Sequence, residues 1–310
     1  MSESQGAPPE ERPHEETIGA IVWNVEPPPD PIKLATGLYL RALKHEDLIL
    51  IERHDHAFGR PVWRRTENAV PQAMIVLDWP ALLRSGEVDL MQGVSTDRFI
   101  DWLHAAVTAF RLVGDAWIAP VEIVDSGATG PSIYATFSTL LPRTLRSTPP
   151  TEPFTVTQSM IDDFGPLYAR LMSYPFSQEK SVDIAFGRFH ETYERWSDED
   201  KLIDAWIGLE SLFIASDQQR DLSESVATGI SFYLGRSISE RDQLRAEVKN
   251  SYRSRSLIAH GHRAKSSQQY RQTIDDLPRA AVVTTGWLRQ TLRKLVLELS
   301  DPTQLHGASS

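Results

Sequence analysis

The sequence contains no cysteine, so it has no disulfide framework and no thiolate that could bind a metal or act as a nucleophile. It also lacks any run approaching the about 20 apolar residues that a membrane-spanning helix needs. Residues 1–17 are polar, acidic and proline-containing, without the basic start and apolar core of a secretory signal. These absences predict a cytoplasmic protein that does not enter a membrane and that begins with a disordered tail at 1–17.

The chain has fewer basic than acidic residues, with 32 Lys and Arg against 42 Asp and Glu, so its net charge is −10. Broad adhesion to nucleic acid needs an electropositive surface, so any RNA contact should be short and local. The Walker loop, the dinucleotide glycine fingerprint and the Gly-x-Ser-x-Gly elbow are all missing. We therefore expect no cofactor.

The N-terminal half, 18–150, carries short runs rich in Ile, Val, Leu and aromatic residues and bounded mostly by Pro, Gly or Asp. Such runs predict strands, at 18–25, 38–53, 73–79, 116–124 and 132–141. One helix interrupts them, with Asp97 as its predicted N-terminal cap. Its apolar stripe at helical spacing consists of Phe99, Trp102, Leu103, Ala106, Val107 and Phe110. This half is predicted to be an α+β domain, and its motifs assign it no role.

The segment 142–154 is rich in Pro and Thr and cannot support a helix interior, so it marks the predicted boundary. Beyond it, at 157–300, apolar residues recur with helical period in one stripe after another. Gly235 is placed to end one helix, and Ser237 with Glu240 forms a capping-box pattern that opens the next. Helices of this kind, joined by short links, pack as a bundle. The predicted fold is an α+β domain followed by an all-α bundle, with a tail at 301–310.

The helix that Ser237 opens ends in the string YRSRSLIAHGHR. Arg255 lies eleven positions after Leu244 and therefore falls on the apolar stripe, where a guanidinium is costly unless it has a partner or lines a cleft. His260 follows five residues later and is the side chain best suited to proton transfer near neutral pH. Residues five apart on a helix lie about 140° apart. The two can share a site only if the helix breaks, for which Gly261 is placed, or if a symmetric dimer assembles it.

Arg255, four intervening residues and His260 resemble the Arg-x(4–6)-His motif of HEPN domains. The string YRSRSLIAHG resembles the ApeA-like branch of that family, and so do the stretch 185–213 and the leucine-rich closing helix. The resemblance covers nearly the whole C-terminal half and the order of its elements. After the arginine, where HEPN ribonucleases commonly carry Asn, Asp or His, this chain has Ser256.

The resemblance implies a metal-independent endoribonuclease, of the kind found in phage-defence or toxin systems, that works as a homodimer. It implies that His260 moves a proton and Arg255 stabilises the phosphorane, while the 2′-hydroxyl of the RNA attacks the phosphate. Ser256 and Glu210 would support the pair. Further residues could hold flanking phosphates, namely Arg253, His262, Arg263 and Lys265.

Three other interpretations remain open. The domain could be a non-catalytic HEPN interaction module that dimerises or binds a regulatory partner, with Arg255 and His260 as a cationic helix C-terminus. Glu210 could pair with Arg188 instead of orienting Arg255. Finally, a metal could be bound by the alternating set Glu52, His54 and His56.

Overall fold

A computed structural model describes residues 18–23, 25–44, 47, 73–77, 96–114, 118–125, 132–136, 153–173, 179–195, 197–214, 221–260, 271 and 273–298. The tails predicted at 1–17 and 301–310, and most of the boundary segment 142–154, lie outside these residues. Within them a sheet with one helix comes first along the chain and a run of helices follows. The predicted α+β region followed by a helical region is thus confirmed at this level.

The described strands form one antiparallel sheet of six. They are β1 (Ile18–Trp23), β2 (Ile32–Ala35), β3 (Leu38–Ala42), β4 (Ala73–Leu77), β5 (Ala119–Asp125) and β6 (Ser132–Thr136). Their order across the sheet is β2-β3-β4-β1-β5-β6. β1 lies inside the sheet, where Ala20 pairs with Ile75 of β4 and Ile123 of β5.

All five predicted strands occur, but β2 was missed. It has four residues, and the polar Lys33 interrupts its apolar pattern directly after a proline-rich segment. β2 pairs with β3 as a hairpin whose turn includes Gly37 at φ 66°, a conformation that favours glycine. The strand predicted at 38–53 is described only as Leu38–Ala42, and Arg41 at its end binds the carboxylate of Asp47 at 2.6 and 3.0 Å.

The sheet has two buried faces. Residues that alternate along the strands, such as Ala20, Val22 and Ile75, join the main hydrophobic core. The residues between them, Ile21 and Met74, form a small separate cluster on the other face. Burial on both sides explains why these strands are nearly continuous apolar runs.

The helix α1 (Thr96–Val113) covers the core side of the sheet. It begins before Asp97, so the prediction of Asp97 as the cap is wrong; an acidic residue in the first turn is favoured by the helix dipole instead. Its buried face carries Trp102, Leu103 and Phe110.

The helical region contains six long described helices. They are α2 (Gln158–Ser173), α3 (Lys180–Glu194), α4 (Asp198–Phe213), α5 (Leu222–Leu234), α6 (Ile238–His260) and α7 (Leu277–Glu298). None of the described helices is both long and apolar enough to span a bilayer. The stripes predicted from the sequence supply buried residues of these helices, including Phe164, Phe189, Trp206, Ile230 and Leu292.

The junction between α5 and α6 follows the predicted caps. The Ser237 hydroxyl accepts from the backbone N–H of Glu240 at 3.2 Å, and the Glu240 carboxylate accepts from the N–H of Arg236 at 2.8 Å. Gly235 ends α5 with φ −77°, so it is not left-handed. A Cβ at this position would lie 2.6 Å from the Ser231 carbonyl oxygen, so the close approach of the backbone explains the glycine.

The two halves share one hydrophobic core, which runs from β1 to α7. The ring of Phe110 on α1 meets that of Phe164 on α2, with centroids 4.7 Å apart. The N–H of Glu26 also donates to the carbonyl of Phe154 at 3.0 Å. The division into domains at 18–150 and 157–300 remains a prediction, and the packing shows that the two parts are not separated by solvent.

Candidate functional site

The candidate site lies along α6, where the helix faces α4. One face of α6 carries Leu244, the buried Val248, the half-buried Tyr252 and Arg255. The Arg255 side chain is only 21% exposed, so the guanidinium lies on the packing face, as its spacing from Leu244 predicts.

Arg255 is held by one carboxylate and one aromatic ring. Its Nη2 lies 3.4 Å from Oε2 of Glu210 on α4, and its Cζ lies 5.6 Å from the centre of the Tyr252 ring. Its Nε is buried and has no hydrogen-bond partner among the described residues. A guanidinium offers five N–H donors, so within the described part of the chain this single long contact leaves most of its hydrogen-bonding capacity unused.

Burial raises the pKa of the Glu210 carboxyl, an effect that the positive charge of Arg255 only partly offsets. Burial also raises the pKa of Tyr252, and the Glu210 carboxylate raises it further. The tyrosine therefore keeps its proton at neutral pH. Glu210, Tyr252 and Arg255 together form one coupled cluster, which we call the Arg255 cluster.

Glu210 is paired with Arg255 and not with Arg188, the other partner considered from the sequence. Arg188 donates to Asp204 at 2.8 Å. The antiparallel register of α3 and α4 explains this choice, because Ser211 bonds the Ser181 carbonyl and residue 204 then stands opposite residue 188. Glu210 lies six residues further, about 9 Å along the helix axis.

His260 is the last residue of α6, and its side chain lies outside the described part of the structure. The helix is unbroken from Arg255 to His260, so an interruption does not bring the two together. Gly261, where the break was expected, lies outside the described residues. Positions 255 and 260 are about 140° apart around the helix. Completion of a site that contains both residues by a second copy of the chain remains a prediction.

The remaining predicted site residues are spread around α6 or lie beyond it. Arg253 is exposed and donates to Asn250 at 3.0 Å, while Ser256 is half-buried. Arg253 precedes Arg255 by two positions, about 200° around the helix, so it belongs to the outer face. The other predicted contacts to phosphate lie outside the described residues, namely His262, Arg263 and Lys265, and so do Glu52, His54 and His56 of the metal hypothesis.

Sequence reasoning missed a second polar cluster, which we call the Arg111 junction, between α1 and α3. Arg111 donates to Nδ1 of His190 at 2.6 Å and to the Ile118 carbonyl at 3.1 Å. Nε2 of His190 lies 3.0 Å from the Thr108 hydroxyl, which in turn bonds the His104 carbonyl. A signal was present, because His104, Thr108 and Arg111 recur at i, i+4 and i+7 and so share one helix face.

The hydrogen-bond pattern fixes the charge state of the histidine in this junction. Arg111 can only donate, so Nδ1 of His190 must accept and the ring proton must sit on Nε2. Burial holds the pKa of His190 well below its ordinary value, and the charges of Arg111 and His104 lower it further. The ring is therefore neutral, and the junction contributes packing and hydrogen bonds without needing a charge on His190.

Comparison of the chain with protein-family models, with curated protein sequences and with solved structures gave no match in any of the three.

Proposed function

We propose that this protein is a metal-independent, HEPN-type endoribonuclease whose site is completed by a twofold copy of the chain. The observation that carries the proposal is the placement of Arg255. Its guanidinium lies on the packing face of α6, yet among the described residues it meets one carboxylate, at 3.4 Å, and one aromatic ring. A structural arginine on such a face normally has its donors satisfied, so the unused donors suit a ligand with several acceptor oxygens.

A phosphodiester is such a ligand. As the 2′-hydroxyl attacks the phosphorus, charge builds on the phosphoryl oxygens, and the planar guanidinium can donate two parallel hydrogen bonds to them. An imidazole can accept the hydroxyl proton or supply one to the leaving 5′ oxygen. The products are a 2′,3′-cyclic phosphate and a free 5′-hydroxyl. No step in this chemistry requires a metal ion.

Dimerisation enters the proposal through the geometry of α6. Arg255 and His260 diverge on one continuous helix, whereas a twofold axis places identical helix ends side by side. The arginine of one protomer could then share a substrate with the histidine of its partner. The expected particle is about 70 kDa, twice the 34.9 kDa chain. By the same resemblance to HEPN proteins, we place the enzyme in phage defence or a toxin system, with the N-terminal half sensing or restraining it.

One observation favours the second candidate, a non-catalytic HEPN module that serves interaction or dimerisation. Arg255 already has an intramolecular acid partner in Glu210. If that ion pair only joins α4 to α6, the cluster is architectural and the protein acts through its surface.

An assay for cleavage of labelled tRNA and total RNA in EDTA distinguishes the endoribonuclease from the non-catalytic module. Wild type should cut, and Arg255→Ala and His260→Ala should each lose about 10²–10⁴-fold in rate. Arg255→Lys should recover little, because an ammonium lacks the paired donors. RNA carrying a 2′-O-methyl group at the cut should resist.

Arg245→Ala is the matched control, since Arg245 is an exposed arginine of the same helix that pairs with Glu224 on α5. It should cut like wild type. If wild type leaves every RNA intact while it still dimerises, the interaction module is the better description. Abolition of cleavage by EDTA with rescue by Mg²⁺ or Mn²⁺ would instead exclude the metal-independent mechanism.

A further inference from the structure

The C-terminal part of α6, residues 248–260, is basic although the chain as a whole has a net charge of −10. It contains three basic residues and no Asp or Glu. The run without acidic residues continues along the sequence to position 274. Its basic residues are Lys249, Arg253, Arg255, Arg263, Lys265 and Arg271. Positive charge is therefore concentrated at this end of the helix and in the segment that follows it.

Two of these basic residues share the outer face of α6. Lys249 and Arg253 are four positions apart, about 40° around the helix, and position 260 falls between them in angle. Arg255 lies about 140° from position 260, on the packing face. The surface defined by Lys249, Arg253 and position 260, which we call the outer basic face, runs for about 16 Å along the helix axis.

The charges of the outer basic face are only partly neutralised. Glu224 of α5 pairs with both Lys249 and Arg245, so one carboxylate meets two cations. Arg253 donates to the neutral amide of Asn250 at 3.0 Å and, among the described residues, meets no carboxylate. The side chain of Lys249 is 36% exposed and Arg253 is exposed, so both can reach a ligand. The outer basic face therefore presents net positive charge to solvent.

The shape and surroundings of this face favour one polyanionic strand. A row of cations along one straight helix can follow a single phosphate backbone. The net negative charge of the chain opposes wider contact with nucleic acid, so binding is confined to a local surface. Among the described residues of α6, the exposed large apolar side chain is Ile238, at the other end of the helix. The outer basic face thus lacks the apolar anchor that a membrane-binding helix needs.

We propose that single-stranded RNA binds along the outer basic face of α6, with phosphates on Lys249 and Arg253 and with the strand directed toward position 260. Its meaning for catalysis rests on the proposed function, because the strand would carry the scissile phosphate to the end of the helix that holds His260. Binding itself does not require cleavage and can be measured on RNA that cannot be cut. Glu224 limits this binding, since its carboxylate competes with phosphate for Lys249.

The test is the binding of a fluorescent single-stranded 2′-O-methyl RNA, measured by anisotropy at several salt concentrations. Lys249→Gln and Arg253→Gln should each weaken binding about fivefold. Each should also lower the slope of log Kd against log salt by about 0.7, the value for one phosphate contact on a single strand. Lys249→Arg should bind like wild type because it keeps the charge. Glu224→Gln should tighten binding because it removes the competing carboxylate.

Arg293→Gln is the matched control. It removes one positive charge from α7, where Arg293 pairs with Asp163 at 2.9 Å, and should change binding little. Circular dichroism checks that each exposed substitution leaves the helices folded. Wild-type affinity and salt slope in Lys249→Gln and Arg253→Gln would overturn the proposal. Failure of wild type to bind the oligonucleotide, or binding to vesicles of anionic lipid in its place, would overturn it as well.

Cleavage of unmodified RNA distinguishes this proposal from the ribonuclease. If RNA is cut while both variants bind like wild type, the outer basic face is not the RNA site and the ribonuclease proposal stands. If the variants lose affinity while wild type cuts no RNA, the ribonuclease proposal fails and the binding site stands. Where both proposals hold, the two variants should raise KM and leave kcat nearly unchanged, because they remove contacts made equally in the ground state and the transition state.

Discussion

Among the described residues two arginines lie over tyrosine rings, Arg111 at the junction between the halves and Arg255 within the bundle. Arg111 is buried, sits 4.7 Å from the Tyr193 ring centre and donates to two neutral acceptors at short distance. Arg255 is 21% exposed and meets a carboxylate at 3.4 Å. Both arginines have a buried Nε without a partner among the described residues, so the difference lies in their other contacts, which are shorter at Arg111, and in their exposure. The difference separates an arginine that holds elements together from one that could receive a ligand.

The largest expected effect is on stability at the Arg111 junction. Arg111→Ala leaves the buried ring nitrogen of His190 and the carbonyl of Ile118 without a donor and opens a cavity. We expect the free energy of unfolding to fall by about 3 kcal/mol, against about 1 kcal/mol for Arg255→Ala. Urea denaturation followed by circular dichroism measures both values.

Arg111→Met sharpens this test, because methionine refills most of the volume but cannot donate. It should lose nearly as much stability as Arg111→Ala. If Arg111→Met were as stable as wild type, the hydrogen bonds to His190 and Ile118 would contribute nothing. Equal losses at Arg111 and Arg255 would remove the contrast between the two sites.

The next effect is on the pH dependence of stability, which should have opposite signs at the two clusters. The pKa of His190 is lowered in the folded protein from its ordinary 6.5. Below that pH His190 becomes protonated in the unfolded chain but stays neutral in the folded protein. The contribution of His190 is therefore full above pH 6.5 and declines as the pH falls, by at most about 1.4 kcal/mol per pH unit.

Glu210 behaves in the reverse way. Its pKa is raised in the folded protein from its ordinary 4.5, so the folded state keeps a proton that the unfolded chain has released. Its contribution is full below pH 4.5 and is lost as the pH rises through the raised value. Urea titrations at several pH values measure the free energy of unfolding across this range. His190→Gln should reduce the loss of stability as the pH falls below 6.5. Glu210→Gln should reduce the loss of stability as the pH rises above 4.5. If both variants change stability on the same side of the pH profile and in the same direction, the two clusters do not differ in the predicted way.

The smallest effect concerns the hydrogen bonds that join Trp206, Ser251 and Thr284 next to the Tyr252 ring. Ser251→Ala removes the acceptor of the buried Trp206 N–H and the partner of Thr284, so stability should fall by about 1 kcal/mol. Ser239→Ala, at an exposed position near the start of the same helix, should change it by less than about 0.5 kcal/mol. Indistinguishable urea midpoints for the two variants would show that these hydrogen bonds do not contribute to the stability of the bundle.

Much of the fold followed from patterns within a few residues of one another. Helical spacing predicted the bundle helices and the inward position of Arg255. The predicted cap between Ser237 and Glu240 is present in the structure. The short strand β2 was missed because four residues beside prolines carry too little pattern. Whether Arg255 and His260 act on RNA remains a proposal, since it depends on a partner and a ligand.

By itself, then, the sequence determined which residues face inward on the bundle helices, and it placed the end of α5 at Gly235 and the start of α6 after Ser237. These properties depend on residues one or two turns apart, whose geometry the helix itself imposes. Only the tertiary structure decided that Glu210 meets Arg255 across 45 positions and that Arg111 meets His190 across 79. Such pairings depend on the register in which two helices pack, and that register is set by the whole shared core and not by either segment alone.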